Sequence, residues 1–226
     1  MEKLKLNFFK AFTIVEAFFR CFAIVFFYSN NWIKKVSDAT DRSQPAIWMT
    51  IQFKKAFTLH PKTFNSYYNG SSTEVLDNIE KFKRYKKGTL GKALYDHLNE
   101  MPDQGQALFD AYKRQKFQKQ IGNIPPEVRI NTGAHKLLTH EMQHILLDIK
   151  PNNKDEILAL GFDYVNVGFA PVPFFIHWIG IIKHGLFKEG ARWRRKGGMT
   201  RNFLTVDWSQ HMNRKVETVK MELLII

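Results

Sequence analysis

The sequence predicts an all-α fold, a single-domain helical bundle, on three observations. Apolar residues recur at spacings of three and four through most of the chain. Prolines, glycines and capping residues punctuate that pattern at helix-length intervals. No apolar–polar alternation persists long enough to build a sheet. With 226 residues, the chain can form one domain over 1–226 with its own core, and nothing forces two.

From the N-terminus, Phe8, Phe12, Val15, Phe19, Phe22 and Phe26 fall on one side of a first amphipathic helix, read as core-facing, with a membrane-lying helix as the other reading. Lys10, Glu16 and Arg20 interrupt it, so no run reaches the roughly 18–20 uncharged residues of a membrane span. No Arg- and Ser-rich, acid-poor leader is apparent, so no transit peptide is expected. "SDATDRSQP" (37–45) reads as a polar loop, and "AIWMTIQFKKAFTL" (46–59) as a helix that Pro61 ends. In "NGSSTEVLDNIEKF" Ser71, Ser72 or Thr73 can cap the next helix. "KKGTLGKALYDHLNEMP" is a glycine turn, read as a helix entry, feeding an amphipathic helix; "DQGQALFDAYKRQKFQKQ" (103–120) supplies another, and "IGNIPPEV" (121–128) a break. A helix over 133–150 comes next, then a turn at "PNNK", a return helix from Asp155, the apolar "FFIHWIGIIKHGLF", a basic segment over 188–202, and a last amphipathic helix over 209–225.

The formal charge of +13 points to a polyanionic partner or an anionic membrane surface. No nucleic-acid motif accompanies the basic residues, so nucleic acid is not expected. A single cysteine, Cys21, excludes an internal disulfide and fits a reducing compartment. Its plain reading is a small buried hydrophobe.

The chemistry concentrates in "HEMQHILLDIKPNNKDE" (140–156). His140 and His144 are four apart on a helix and project from one face, so two imidazoles can share one divalent ion. HExxH of this kind also opens zinc proteases. The metzincin continuation requires Gly and His where this chain has Leu147 and Lys150, and a zincin also needs a peptide-binding edge strand that this sequence does not supply. Glu156 arrives after eleven intervening residues that include the turn, and a helical hairpin returns it level with His144, since each helical residue advances about 1.5 Å. The spacing suits a His–His–carboxylate site, with Glu141 at the edge of the face as a fourth ligand or a base.

These residues resemble the coenzyme Q biosynthesis protein four family, an all-helical group involved in making ubiquinone. Its signature is His-Asp-x-x-His, eleven residues, then Glu, matched here by His140, Glu141, His144 and Glu156, with Glu141 where the family usually has Asp. "GTLGKALYDHLNE" (88–100) and "ILALGFDYVNVGFAP" (157–171), with Asp163 at an acidic position, are similar to family segments, and the resemblance covers 65–226. It implies a metal-dependent protein acting on membrane-held quinone precursors, either as oxidative decarboxylase of a polyprenylated hydroxybenzoate or as a scaffold for other quinone-biosynthesis proteins. Under it His140, Glu141, His144 and Glu156 hold the metal, and His140, Glu141 and Asp163 are the catalytic candidates. Zinc and iron both fit two imidazoles and a carboxylate, whereas magnesium, the third option, prefers oxygen ligands.

A polyprenyl lipid or prenylated quinone precursor needs an apolar channel, and the segment around Phe174 and Trp178 offers material for one. Arg192, Arg194, Arg195 and Lys196 would meet head groups. An ordinary core helix and a solvated basic loop are the plainer alternatives. The expected setting is a cytoplasmic chain attached peripherally to a membrane surface, with a homodimer open.

Overall fold

The computed structural model describes residues 70–100, 126–150, 152–167 and 171–223. The helices expected over 8–26, 46–59 and 103–120, the loop over 37–45 and Cys21 lie outside the described residues. Within them the chain forms seven α-helices and three 3-10 segments, and no strand beyond an isolated bridge between Thr89 and Lys215. The fold class is all-α. The helices are α1 (Ser71–Asp77), α2 (Leu90–Glu100), α3 (Pro126–Leu147), α4 (Asn153–Asn166), α5 (Pro171–His184), α6 (Phe187–Met199) and α7 (Val216–Leu223). They belong to two compact units: Met49–Lys150 with Met199–Ile226, and Met1–Trp48 with Pro151–Gly198.

In the first unit α3 is the central helix. Ala134, Leu138, Met142 and Leu146 recur every four residues and are all buried, as are His135, Thr139 and Gln143 beside them. Buried polar groups are usually hydrogen-bonded, and here His135 and Thr139 cross-link the unit. Ser72 Oγ lies 2.8 Å from His135 Nδ1, His135 Nε2 lies 3.1 Å from the Leu204 carbonyl, and the Trp208 indole donates to Thr139 Oγ1 at 2.9 Å. The Leu204 carbonyl can only accept, so the His135 proton sits on Nε2 and Ser72 donates to Nδ1. Burial drives His135 down to about 3, so its ring is neutral.

Three expectations from the sequence do not hold. Ser72 and Thr73 do not cap α1: Gly70, in the left-handed region at φ 71°, precedes it, and the two hydroxyls bond across to His135 and Asn131. The break expected over 121–128 does not extend past 125, because α3 starts at Pro126, and a proline in the first turn has no helical N–H bond to lose. The single last helix over 209–225 is instead a 3-10 segment (Trp208–His211), a turn and α7. The carbonyls of Met212 and Arg214 accept from the first N–H groups of α2, Gly91 and Leu90, both at 2.8 Å. Those carbonyls satisfy the otherwise orphaned donors of a helix start, so they cannot continue a helix of their own.

In the second unit α4 packs against α5 at close range. The His177 ring lies over Gly161, where a Cβ would overlap its imidazole, and His177 Nδ1 donates to the Ile157 carbonyl at 2.6 Å. Ile157, Leu158, Ile176 and Ile181 form the core, with Leu160, Ile179, Leu186 and Trp193 against it. The basic segment is helical: α6 buries Gly190 and Gly197 on its inner side.

Candidate metal centre

The site begins with how α3 ends. Asp148 takes the left-handed conformation at φ 54°, tolerable for an Asp closing a helix. Ile149 N–H then folds back to the His144 carbonyl at 3.0 Å, and the Ile149 carbonyl comes within 3.0 Å of His144 Nδ1. A carbonyl only accepts, so this bond places the proton of neutral His144 on Nδ1 and makes Nε2 the lone-pair nitrogen, the one able to ligate a cation. Anchoring the second ring nitrogen on a backbone carbonyl is the usual way a ligating histidine is oriented. Lys220 secures the turn from outside, with Nζ 2.9 Å from Asp148 Oδ2.

His140 is one helical turn before His144, and their Nε2 atoms are 3.3 Å apart. Two nitrogens bound at about 2.0–2.1 Å to a tetrahedral ion are separated by about 3.3 Å. The pair is therefore spaced as two ligands of one ion. Asn152 caps α4 by accepting from the N–H groups of Lys154 and Asp155, at 3.1 and 3.0 Å. That cap starts the helix so that Glu156 falls in its first turn. His140, His144 and Glu156 each offer a ligand atom, and these atoms all lie within 4.8 Å of one another. His144 is buried and the other two half-buried. The donor set of two nitrogens and a carboxylate fits zinc or iron better than magnesium.

Glu141 does not join that grouping. Its Oε2 lies 3.1 Å from His97 Nε2, and the two side chains are only 13% and 15% exposed. The His97 ring also stacks on His144, with centroids 5.4 Å apart and planes 26° from parallel. His97 escaped the sequence reading. The available signal was its place in "ALYDHLNE", beside the buried Leu90, Leu94 and Leu98 stripe of α2, where a flanking histidine faces the next helix.

The remaining predicted residues sit in the second unit. Asp163 is half-buried on α4, two turns after Glu156. Phe174 and Trp178 belong to a ring cluster with Tyr164 and His177, at centroid separations of 5.3 to 6.3 Å. Arg194 turns inward: its guanidinium stacks on Trp178 at 4.5 Å and donates to His177 Nε2 at 2.9 Å. Burial pushes His177 below its ordinary value, the Ile157 carbonyl opposes that, and Arg194 pushes it further down. Lys196 lies over Trp193 at 4.9 Å, whereas Arg192 and Arg195 are exposed.

Fold and geometry together define an all-helical protein carrying a His–His–carboxylate metal-site candidate. No family model matches the chain, and no curated protein matches it. Among solved structures it is similar to a crystal structure from Nostoc punctiforme PCC 73102, a protein assigned provisionally to ubiquinone biosynthesis, with a TM-score of 0.58 and 15% identity. The likeness spans 93% of this chain and 96% of that one, and at this identity it is a likeness of fold.

Proposed function

We propose that this chain is a metal-dependent protein of ubiquinone or prenylquinone biosynthesis, acting as oxidative decarboxylase of a polyprenylated hydroxybenzoate with dioxygen as the two-electron oxidant. The ring–carboxyl bond breaks, carbon dioxide leaves, a hydroxyl from water takes its place and dioxygen is reduced to hydrogen peroxide. The observation that carries the proposal is the convergence of ligand atoms from His140, His144 and Glu156. The fold likeness to a protein assigned to ubiquinone biosynthesis supports the pathway. A zinc or iron ion held there would polarise a phenol or carboxylate oxygen of the aromatic substrate. The chain's own part is to hold that ion between two oriented imidazoles and a carboxylate. Glu141 and Asp163 are the groups proposed to take up and return protons. The described residues contain no strand, so they offer no sheet edge for a peptide, as a zinc protease would need.

Attachment to a membrane surface is part of the same proposal. Ile182 and Phe187, near the turn between α5 and α6, are 66% and 56% exposed. Lys188, Arg192 and Arg195 are exposed on α6. Apolar side chains flanked by cations suit an anionic lipid interface, at about 1 kcal/mol per cation.

A lipid-holding scaffold without turnover is the second reading. It is favoured by the ring cluster at Phe174 and Trp178, where the buried indole Nε1 of Trp178 has no hydrogen-bond acceptor among the described residues. Such an orphaned donor beside aromatic rings suits a ligand oxygen.

The test is elemental analysis of the purified chain after dialysis against zinc or iron, paired with release of carbon dioxide from a carboxyl-labelled prenylated hydroxybenzoate. The expected result is about one ion per chain, lost in His140→Ala, His144→Ala and Glu156→Ala together with turnover. Failure of the parent chain to hold an ion refutes the metal reading. An ion without turnover, with an isoprenoid extracted from the protein, leaves the scaffold.

A further inference from the structure

We propose that His97 is a positioning residue that holds Glu141 off the metal, so that the ion keeps three protein ligands and Glu141 stays outside them as a poised carboxylate. This rests on the metal reading of His140, His144 and Glu156.

Glu141 comes directly after His140 and precedes His144 by three residues, so on α3 its carboxylate starts from the edge of the face that carries both imidazoles. An unrestrained carboxylate there would compete for the ion. His97 engages it instead: Oε2 lies 3.1 Å from His97 Nε2. With both side chains nearly out of water, this contact is far less screened than a surface pair.

His97 is well fixed for the task. The start of α2 is tied down by Leu90 N–H and Gly91 N–H bonding to the Arg214 and Met212 carbonyls. Leu90, Leu94 and Leu98 are buried along its length. Its ring backs the His144 ring, which is itself edge-on to His140 at 4.8 Å. One side chain thus braces a ligand and restrains its competitor. The hydrogen bond and the stack are separable, because phenylalanine keeps the ring and loses the bond.

Cobalt(II) is the probe, since its visible absorption is intense with four ligands and weak with six. The full chain is titrated with cobalt(II), and its spectrum and affinity are read. Glu141→Gln should keep the parent spectrum. His97→Phe should bind cobalt(II) more tightly and lose part of the visible absorption, because the freed carboxylate raises the ligand count above four. His97→Gln, whose amide can still donate to Glu141, should restore the parent spectrum, and so should the double change His97→Phe with Glu141→Gln. A changed spectrum in Glu141→Gln alone, or an unchanged one in His97→Phe, overturns the proposal while leaving the metal site standing. A parent chain that binds no cobalt(II) overturns the metal reading and this proposal with it.

Discussion

At the scale of single residues, the buried histidines of α3 divide into two kinds by what their second nitrogen meets. His144 gives its Nδ1 proton to the Ile149 carbonyl and turns Nε2 toward His140, whereas His135 has both nitrogens engaged by Ser72 and the Leu204 carbonyl. His135 therefore serves structure, and its cost shows in pH dependence. Its value falls from an ordinary 6.5 to about 3, so between those limits the unfolded chain binds a proton that the folded chain refuses. Stability must then drop as pH falls through that window, by up to about 1.4 kcal/mol per pH unit from this group. Urea unfolding at a series of pH values should show this slope. His135→Asn should flatten the curve by that amount, even if it lowers stability throughout. An unchanged slope would mean that His135 titrates normally.

At the scale of elements, glycine decides how close the helices of the second unit come. A Cβ on Gly197 would sit 2.6 Å from the Phe162 carbonyl oxygen, a backbone atom that cannot swing aside. Asn166 Nδ2 also donates to the Gly197 carbonyl at 3.1 Å, so α6 and α4 are joined at this point by packing and by a hydrogen bond. Gly197→Ala should cost roughly 1–3 kcal/mol in denaturant unfolding, the range for overpacking a close contact. Gly198→Ala next to it should be nearly silent, because its Cβ would meet Val165 at an ordinary 3.5 Å. The outer side of α6 has its own test. Arg192→Glu with Arg195→Glu should reduce sedimentation with anionic vesicles several-fold, roughly 1 kcal/mol being at stake for each cation lost. Arg194→Gln should disturb folding more than vesicle binding, because its guanidinium is committed to Trp178 and His177.

At the scale of the whole molecule, an ion held by the native chain alone must stabilise it. At a free concentration one hundred times its dissociation constant the gain is about 2.7 kcal/mol. Thermal unfolding of the full chain with zinc(II), and again after chelation, measures it. The shift should vanish in His144→Ala and largely vanish in Glu156→Gln. Equal midpoints with and without metal in the parent chain would count against any ion at this place.

The short-range geometry of the candidate metal site was legible in the sequence. Histidines four apart must share a helix face, and eleven intervening residues that include a turn return Glu156 to the pair, because helical geometry is fixed by the local backbone. The class of fold came from the same periodicity. What the chain could not announce is which side chains meet across long separations. Glu141 finds His97 44 residues away, and Ser72, a good cap by type, bonds His135 63 residues away. Arg194 looks like a surface cation until α5 offers it an indole face and an imidazole nitrogen. Such partners are chosen by which faces pack, and packing is settled by the summed burial of distant apolar stripes rather than by the preference of any one residue.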